Sequence, residues 1–306
     1  MIIAPRTATN ILASNIVAIE VGVNVYDPLS AYVTYDVVQI NGTTNRKYKA
    51  VQAVPAGTDP LVDVNPVTGR GTYWWDAGAT NYAKAFDELG SSKCENADSI
   101  YYEFSISDID VLMLGNLNSA TVRLKIVDLD TTLTVLDATY STLEREVYDW
   151  QEWTIAVPEY HSSFYKILPI TYNATLEVWI DNPTQTASVG HIAYGRSKNY
   201  GLSLIDPKPI SSRRGITSKT RSADGNITTR RKARYRRMKI TCLIDSKSID
   251  IIEDRLEAIV DTPCIFVGDE RDGGYKALLI YGEMKDHDMP ISVTKTTYLL
   301  EVEGYQ

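Results

Sequence analysis

The sequence predicts a mainly-β protein with three parts: a small aromatic β module, a jelly-roll-like β-sandwich and a C-terminal sheet domain with one packed helix. Short alternating segments recur between residues 99 and 194 at the spacing of roughly eight to twelve residues that is typical of a sandwich. The chain has 20 Tyr against four Phe, and Tyr favours half-buried sheet faces. Helical periodicity is convincing only at residues 246–260.

The chain of 306 residues is long enough to bury two or three separate cores. Residues 1–15 mix apolar and polar side chains without a clear period and are predicted to be an extended N-terminal arm. Residues 16–75 form the small module, residues 76–200 the sandwich and residues 201–306 the C-terminal domain. A connector rich in Gly, Pro and Ser follows the sandwich.

In the module, residues 35–40 and 47–54 alternate like two strands, and Asn41-Gly42 between them indicates a reversal. Residues 55–71 are predicted to be a loop because Pro, Gly, Asp and Asn dominate them. The module would close on Trp74 and Trp75. After it, eight predicted strands favour a jelly roll, and they cover residues 99–105, 111–116, 120–128, 133–140, 151–157, 166–171, 174–181 and 187–194. Leu176, Val178 and Ile180 would point inward.

The C-terminal part begins with a predicted hairpin, residues 216–222 and 227–235, around Asp224-Gly225. A helix over residues 246–260 follows, with Ser248 near its start and an apolar stripe that includes Ile252 and Leu256. Further strands are predicted at residues 237–244, 264–267, 276–281 and 293–303.

Charge is unevenly distributed along the chain. Twelve of the 31 Lys and Arg residues lie between Lys208 and Lys239 with one acid, Asp224, whereas the rest of the chain holds 38 of the 39 Asp and Glu residues. We call this segment the basic belt. It favours contact with an acidic protein surface, because the guanidinium fork pairs with carboxylates. A solvated hairpin or a nucleic-acid site are the alternatives, and aromatic interleaving for nucleic acid is poor. The candidate contact residues are Arg213, Arg214, Arg221, Arg230, Arg231, Arg234, Arg236 and Arg237.

Catalytic patterns are not readable in the sequence. The three His are far apart, and no nucleophile elbow, phosphate loop or zinc-protease pattern occurs. Asp286-His287-Asp288 and the acidic group Glu144, Glu146, Asp149 and Glu152 are typical of solvated surfaces. We therefore predict no enzyme activity, no metal and no cofactor. Three separated cysteines suit a protein made in a reducing cytoplasm, and no signal peptide or membrane span is predicted.

The module resembles the small chitin-binding-type modules of carbohydrate-active enzymes. The resemblance rests on Tyr32, Tyr35 to Val38, Asn41-Gly42, Tyr48 to Ala50 and a closing Trp. It implies sugar stacking on exposed rings, with Tyr32, Tyr35, Tyr48, Trp74 and Trp75 as candidates. The alternative is that the tyrosines form the mini-core and the tryptophans pack against the next domain, because so small a unit needs its aromatics inside.

Three separated motifs together are similar to a family of tailed-bacteriophage and prophage tail or tail-tip proteins. They are Trp75-Asp76 with Gly78, Thr80, Asn81 and Phe86-Asp87; Gly195-Arg196 to Tyr200-Gly201; and a terminal block with Pro263, residues 266–268, 279–282 and 300–304. Where the family pattern has Arg-Trp and a Met, this chain has residues 82–85.

The resemblance implies a structural role in a phage tail, at the tip, baseplate or fibre-attachment ring, and no reaction. Other tail proteins and copies of the chain in a ring are then the expected partners, without nucleic acid or membrane insertion. The virion tail is the expected location, after synthesis in the host cytoplasm. The alternative is a glycan-binding adhesin that contacts the host surface. Trp75, Asp76, Asn81, Phe86 and Asp87 are predicted to form a seam that sets the angle between module and sandwich.

Overall fold

Strands dominate the chain in the computed structural model, which describes residues 1–306 apart from 8, 43, 88, 90–91, 145–148, 156–158, 222–226, 270, 272–273 and 306. The strands within those residues are β1 (Ile2–Pro5), β2 (Ile11–Ser14), β3 (Asn24–Val25), β4 (Val37–Ile40), β5 (Arg46–Ala50), β6 (Trp74–Ala79), β7 (Cys94–Ile106), β8 (Ile109–Gly115), β9 (Thr121–Asp128), β10 (Thr134–Ser141), β11 (Ser163–Thr171), β12 (Ala174–Val189), β13 (His191–Gly195), β14 (Lys198–Asn199), β15 (Leu202–Ser203), β16 (Ile210–Arg221), β17 (Ile227–Asp245), β18 (Cys264–Val267), β19 (Leu279–Asp288) and β20 (Lys295–Gly304). The helices are α1 (Pro60–Asp63), α2 (Trp150–Ile155) and α3 (Ile249–Glu257), with 3-10 turns at Lys84–Phe86, Ser246–Ser248 and Lys276–Leu278. The predicted mainly-β fold is confirmed.

The sandwich consists of two antiparallel sheets that face each other across one core. The first has five strands in the order β10-β9-β12-β7-β2, and the second has three in the order β11-β8-β13. Leu176, Val178 and Ile180 of β12 are fully buried in the core, as the alternation predicts, since successive side chains of a strand point to opposite faces.

A third sheet covers the outer face of the three-stranded sheet. Its order is β14-β1-β18-β19-β20-β17-β15, and β16 also pairs with β17. Val111 and Met113 of β8 pack with Ile265 and Val267 of β18 in a second core, while α3 packs on the far face. The run of buried residues through β8 and β18 follows from burial on both faces, which removes the need for polar alternation.

The N-terminal segment does not form a free arm. Strand β1 lies between β14 and β18, and β2 pairs with β7 at the edge of the five-stranded sheet. The prediction fails because both sets of partners are distant in sequence, and a four-residue strand carries almost no periodic signal. Along the chain, strands of the eight-stranded sheet thus come before and after the sandwich, and strands of the sandwich come before and after the module. We call the sandwich and the module the enclosed units.

The chain segments that lead into and out of each enclosed unit lie side by side. Thr7 N–H donates to the Tyr194 carbonyl at 2.8 Å, and a Cβ on Gly195 would fall 2.0 Å from the Pro5 carbonyl oxygen, so the two chain segments approach closely only because this residue is glycine. At the module, Asn81 N–H donates to the Glu20 carboxylate at 3.3 Å.

The aromatic module is a four-stranded sheet in the order β3-β4-β5-β6, in which β3 pairs parallel to β4. Its core contains Val38, Tyr48, Ala50, Val54, Val64 and Trp74. The short helix α1 begins inside the predicted loop, where the Asp59 side chain accepts from Leu61 N–H and caps the helix.

Two further predictions need correction. Residues 151–157 were expected to form a strand, but α2 covers Trp150–Ile155, because a short apolar segment fits either period. Strand β2 takes its place, so the described part of the sandwich still has eight strands. The C-terminal helix is shorter than expected: α3 buries Ile249, Ile252 and Leu256, and Val260 beyond its end is 47% exposed. Among the described residues, no helix is long and apolar enough to cross a membrane.

Candidate assembly and glycan-binding surfaces

The basic belt forms a two-stranded ribbon that extends beyond the eight-stranded sheet. Strand β17 pairs with β20 from Asp245 up to Arg237, where the partner is Glu303. Farther out, its described residues pair only with β16, in a register that continues to Arg221 opposite Ile227. At about 3.3 Å per residue, this two-stranded part is roughly 30 Å long. A two-stranded ribbon is marginally stable by itself, so a contacting surface would stabilise it.

Glu301 neutralises the root of the ribbon. Its carboxylate pairs with the Arg237 guanidinium and lies 2.7 Å from the Lys239 ammonium, and Glu301 is 7% exposed. Arg237 was predicted to contact a neighbour, but its side chain is engaged within the sheet. We therefore assign Arg237 to the stability of the root and remove it from the contact residues.

The outer part of the ribbon brings like charges together. Arg213 and Arg236 are directly opposite across the strands, an arrangement that is unfavourable in isolation. Burial and then the Arg213 charge lower the pKa of Arg236. Arg213 and Arg214 are exposed, and among the described residues no carboxylate lies within 4.0 Å of either guanidinium.

The remaining belt residues are only partly described. Arg221 is exposed at the far end of β16. The side chains of Arg230, Arg231 and Arg234 lie outside the described part, as does the predicted turn at Asp224-Gly225.

An apolar patch adjoins the root of the ribbon. Leu202 is 65% exposed, Ile205 is 77% exposed and Ile210 is 56% exposed. Leu202 and Ile205 line a depression of about 810 Å³ that also includes Ser211 of β16. Sequence reasoning missed this patch, because isolated apolar residues in a connector resemble ordinary surface residues.

Trp74 and Tyr48 do not present a ring to solvent, so their assignment to a sugar site is corrected. Trp74 is 0% exposed and Tyr48 is 4% exposed. Trp74 contacts Tyr32 edge-on at 5.2 Å, and its indole N–H donates to the Thr58 carbonyl at 3.1 Å. Tyr32 is half-buried. So small a module needs these rings for its core.

Tyr35 and Trp75 do face solvent, in a row that alternates rings and cations. The exposed fractions are 72% for Tyr35 and 44% for Trp75. The Lys49 ammonium is 4.8 Å from the Tyr35 ring centroid, and the Arg70 guanidinium carbon is 5.2 Å from that of Trp75. Lys49 is opposite Trp75 in the β5–β6 register. We call these four residues the aromatic–cation row.

Sequence reasoning missed the cations of this row, although strand alternation indicated one of them. Tyr48 and Ala50 of β5 point into the core, so Lys49 must point to solvent. Tyr35 also has φ of 79°, a left-handed conformation that costs about 1–2 kcal/mol for a residue with a Cβ.

The predicted seam is divided between two units. Phe86 packs against the sandwich, 5.4 Å from Tyr102, and the Asn81 amide donates to the Glu95 carbonyl at 2.7 Å. Asp76 instead forms a 2.6 Å ion pair with Arg46 inside the module, and Trp75 contacts Arg70 there. Asp87 accepts from Leu89 N–H at 3.1 Å. Asn81 and Phe86 thus attach the module to the sandwich.

The three cysteines are all buried. Burial raises the pKa of Cys94 and Cys242 to about 11 and that of Cys264 to about 12, so these thiols stay protonated at neutral pH and are poor nucleophiles. Among the described residues, no group of three His, Cys, Asp or Glu side chains is arranged to hold a metal ion.

Comparison with known proteins adds no family to these observations. No protein-family model matches the chain, and no curated protein matches it significantly.

Proposed function

We propose that the chain is a structural component of a bacteriophage tail, at its tip, baseplate or fibre-attachment ring, and that the basic ribbon makes the assembly contacts. The tail assignment rests on the sequence resemblance, and the assembly role is supported by a ribbon about 30 Å long whose outer part pairs with no other described strand. Its partners are other tail proteins and copies of the same chain in a ring. Its location is the virion tail, and its role is non-catalytic.

Charge complementarity supports contact between copies. The basic belt carries twelve of the 31 basic residues, while the rest of the chain has 38 acidic residues against 19 basic ones. Arg213 and Arg214, which have no carboxylate within 4.0 Å among the described residues, would then face an excess of carboxylates on a neighbouring copy. Arginine is enriched in protein interfaces, and the apolar patch of Leu202, Ile205 and Ile210 supplies area to exclude water.

Light scattering across a concentration series tests the self-association. We expect an oligomer that weakens as salt rises, since exposed ion pairs are screened. The double variant R213E/R214E should weaken association at least about tenfold, because like charges at an interface are strongly unfavourable. The matched control K295E changes an exposed lysine on β20 away from the ribbon and should associate normally.

Immunogold labelling of purified virions tests the location. The label should collect at one end of the tail. A chain that stays monomeric at low salt and is missing from the particles would contradict the proposal.

The aromatic–cation row supports a second candidate, a glycan-binding module that contacts the host surface. A flat ring face matches the C–H face of a pyranose, and adjacent cations can bond sugar hydroxyls or acids. Tyr35 is held in a strained conformation at an exposed position, which is typical of binding sites.

Glycan-array binding by Y35N and W75A tests this candidate. Asn tolerates a positive φ, so Y35N removes the ring and relieves strain. Both variants should lose array binding if the row holds a sugar, whereas an array that wild-type protein does not bind excludes this function. The K295E variant serves as the control here as well.

A further inference from the structure

A cleft of about 620 Å³ lies where the sandwich meets the eight-stranded sheet. One wall consists of residues 140–142 at the end of β10 and residues 163–167 of β11, and the opposite wall includes Val267, Tyr275 and Lys276. The volume falls within the range of roughly 300–1,000 Å³ that is typical of ligand sites. Tyr165 of β11 and Val267 of β18 pack in the core between the three-stranded and eight-stranded sheets, so the fold fixes this part of the cleft.

Cations outnumber carboxylates around the described part of this cleft. Lys166 and Lys276 line it, and among the described residues neither ammonium has a carboxylate within 4.0 Å. His161 Nδ1 is 3.6 Å from Glu144, whose side chain is 56% exposed. Asp269 is already paired with Arg271 at 2.7 Å.

Burial is the main influence on the protonation of two cationic residues of the cleft, His161 and Lys276. Burial, followed by the charge of Lys276, lowers the pKa of His161. Desolvation likewise lowers the pKa of Lys276. An anion bound in the cleft would favour the protonated forms of both groups and so oppose these shifts, and its binding would be coupled to proton uptake.

Each wall also carries a tyrosine with a cation against its ring. The Lys166 ammonium is 5.0 Å from the Tyr140 centroid, and the Arg271 guanidinium carbon is 5.8 Å from that of Tyr275. Phe164 supports Tyr140 at 5.5 Å, while Tyr275 is 70% exposed at the rim. Flat rings beside fixed charges can hold a sugar ring and orient its acidic group.

We propose that this cleft binds an acidic saccharide, with a sugar ring against Tyr140 and its carboxylate or phosphate held by Lys166, Lys276 and His161. Glu144 can accept a bond from a sugar hydroxyl, because its side chain is 56% exposed. The site is separate from the aromatic–cation row and does not depend on the assembly role of the ribbon.

Isothermal titration at pH 7 and low salt tests the proposal with trigalacturonate, a sialylated trisaccharide and a glycerol-phosphate oligomer, beside neutral maltotriose, inorganic phosphate and a ten-residue oligothymidylate. At least one acidic saccharide should bind about tenfold or more tightly than maltotriose, phosphate or the oligonucleotide. K166Q and K276Q should each weaken that binding about tenfold, since a bond to a charged group is lost. Titration in two buffers should show proton uptake on binding.

The control K49Q removes a cation of the aromatic–cation row, and melting curves verify that each variant is folded. Binding lost in K49Q but kept in K276Q would assign the sugar to the module and overturn the proposal. It is also overturned if none of the acidic saccharides binds, if maltotriose binds equally well, or if phosphate or oligothymidylate is preferred.

Discussion

His191 lies where the sandwich packs against the eight-stranded sheet. It is 2% exposed, and its ring lies 5.4 Å from that of Tyr281 and 6.4 Å from that of Tyr305. Burial first, and the Arg6 guanidinium second, lower the pKa of His191 to about 4. The folded protein therefore keeps this imidazole neutral through the mildly acidic range.

This protonation difference predicts that stability falls as the pH decreases from about 6.5 to about 4. Above that window the imidazole is neutral in both states. Within it the unfolded chain binds a proton that the folded chain excludes, so the free energy of unfolding drops by up to about 3 kcal/mol. Denaturant unfolding between pH 4 and 7 measures it. The H191Q variant should show a shallower pH dependence, and parallel curves for the two proteins would contradict the assignment.

Substitution by alanine should affect stability very differently at the two adjacent tryptophans of β6. W74A removes a fully buried indole and should cost about 3–5 kcal/mol, which is enough to unfold the module. W75A removes a ring that is 44% exposed and should change stability by less than about 1 kcal/mol. Amide exchange of residues 24–79 measures both. Loss of sugar binding in W74A would therefore not identify a sugar contact, whereas loss in W75A would.

Elements with strong local periodicity were predictable from the sequence. Segment 121–128 alternates clearly and forms β9 with Val122, Leu124 and Ile126 buried. Strand β1 was not predictable, because its four residues pair with β14, which begins at residue 198, and with β18, which begins at residue 264. The candidate surfaces were predictable only in part. The distribution of charge along the sequence locates the ribbon, but only the tertiary structure shows that Trp74 is buried and Trp75 is exposed.

At the scale of the element, deletion of the ribbon should leave the eight-stranded sheet folded. Replacing residues 214–235 by an Asn-Gly turn between the opposite residues Arg213 and Arg236 keeps the register of β16 and keeps β17 paired with β20 through Glu301 and its neighbours. The melting temperature should stay within a few degrees, while self-association disappears. Calorimetry and light scattering measure the two properties. A large loss of stability would mean that the ribbon belongs to the fold and is no separate contact element.

At the scale of the whole molecule, the module should be removable without unfolding the sandwich or the eight-stranded sheet. Glu20 and Asn81 are hydrogen-bonded to each other at the base of the module, so a short Gly-Ser linker can replace residues 21–80. We expect the shortened chain to keep the three cores outside the module and its self-association, and to lose any sugar binding by the aromatic–cation row. Circular dichroism and light scattering check this. Aggregation of the shortened chain would show that the module stabilises the sandwich.

The order of the strands along the chain also determines the order in which the units can fold during synthesis. Strand β1 leaves the ribosome before its partners β14 and β18, which begin at residues 198 and 264. At a synthesis rate of about 5–20 residues per second, β1 is synthesised roughly 10–50 s before its partner strands. Its apolar side chains cannot be buried in the sheet during that time. The module, whose strands are close in sequence, can complete itself meanwhile. Proteolysis of ribosome-bound chains of increasing length should therefore protect residues 24–79 first and residues 2–5 last.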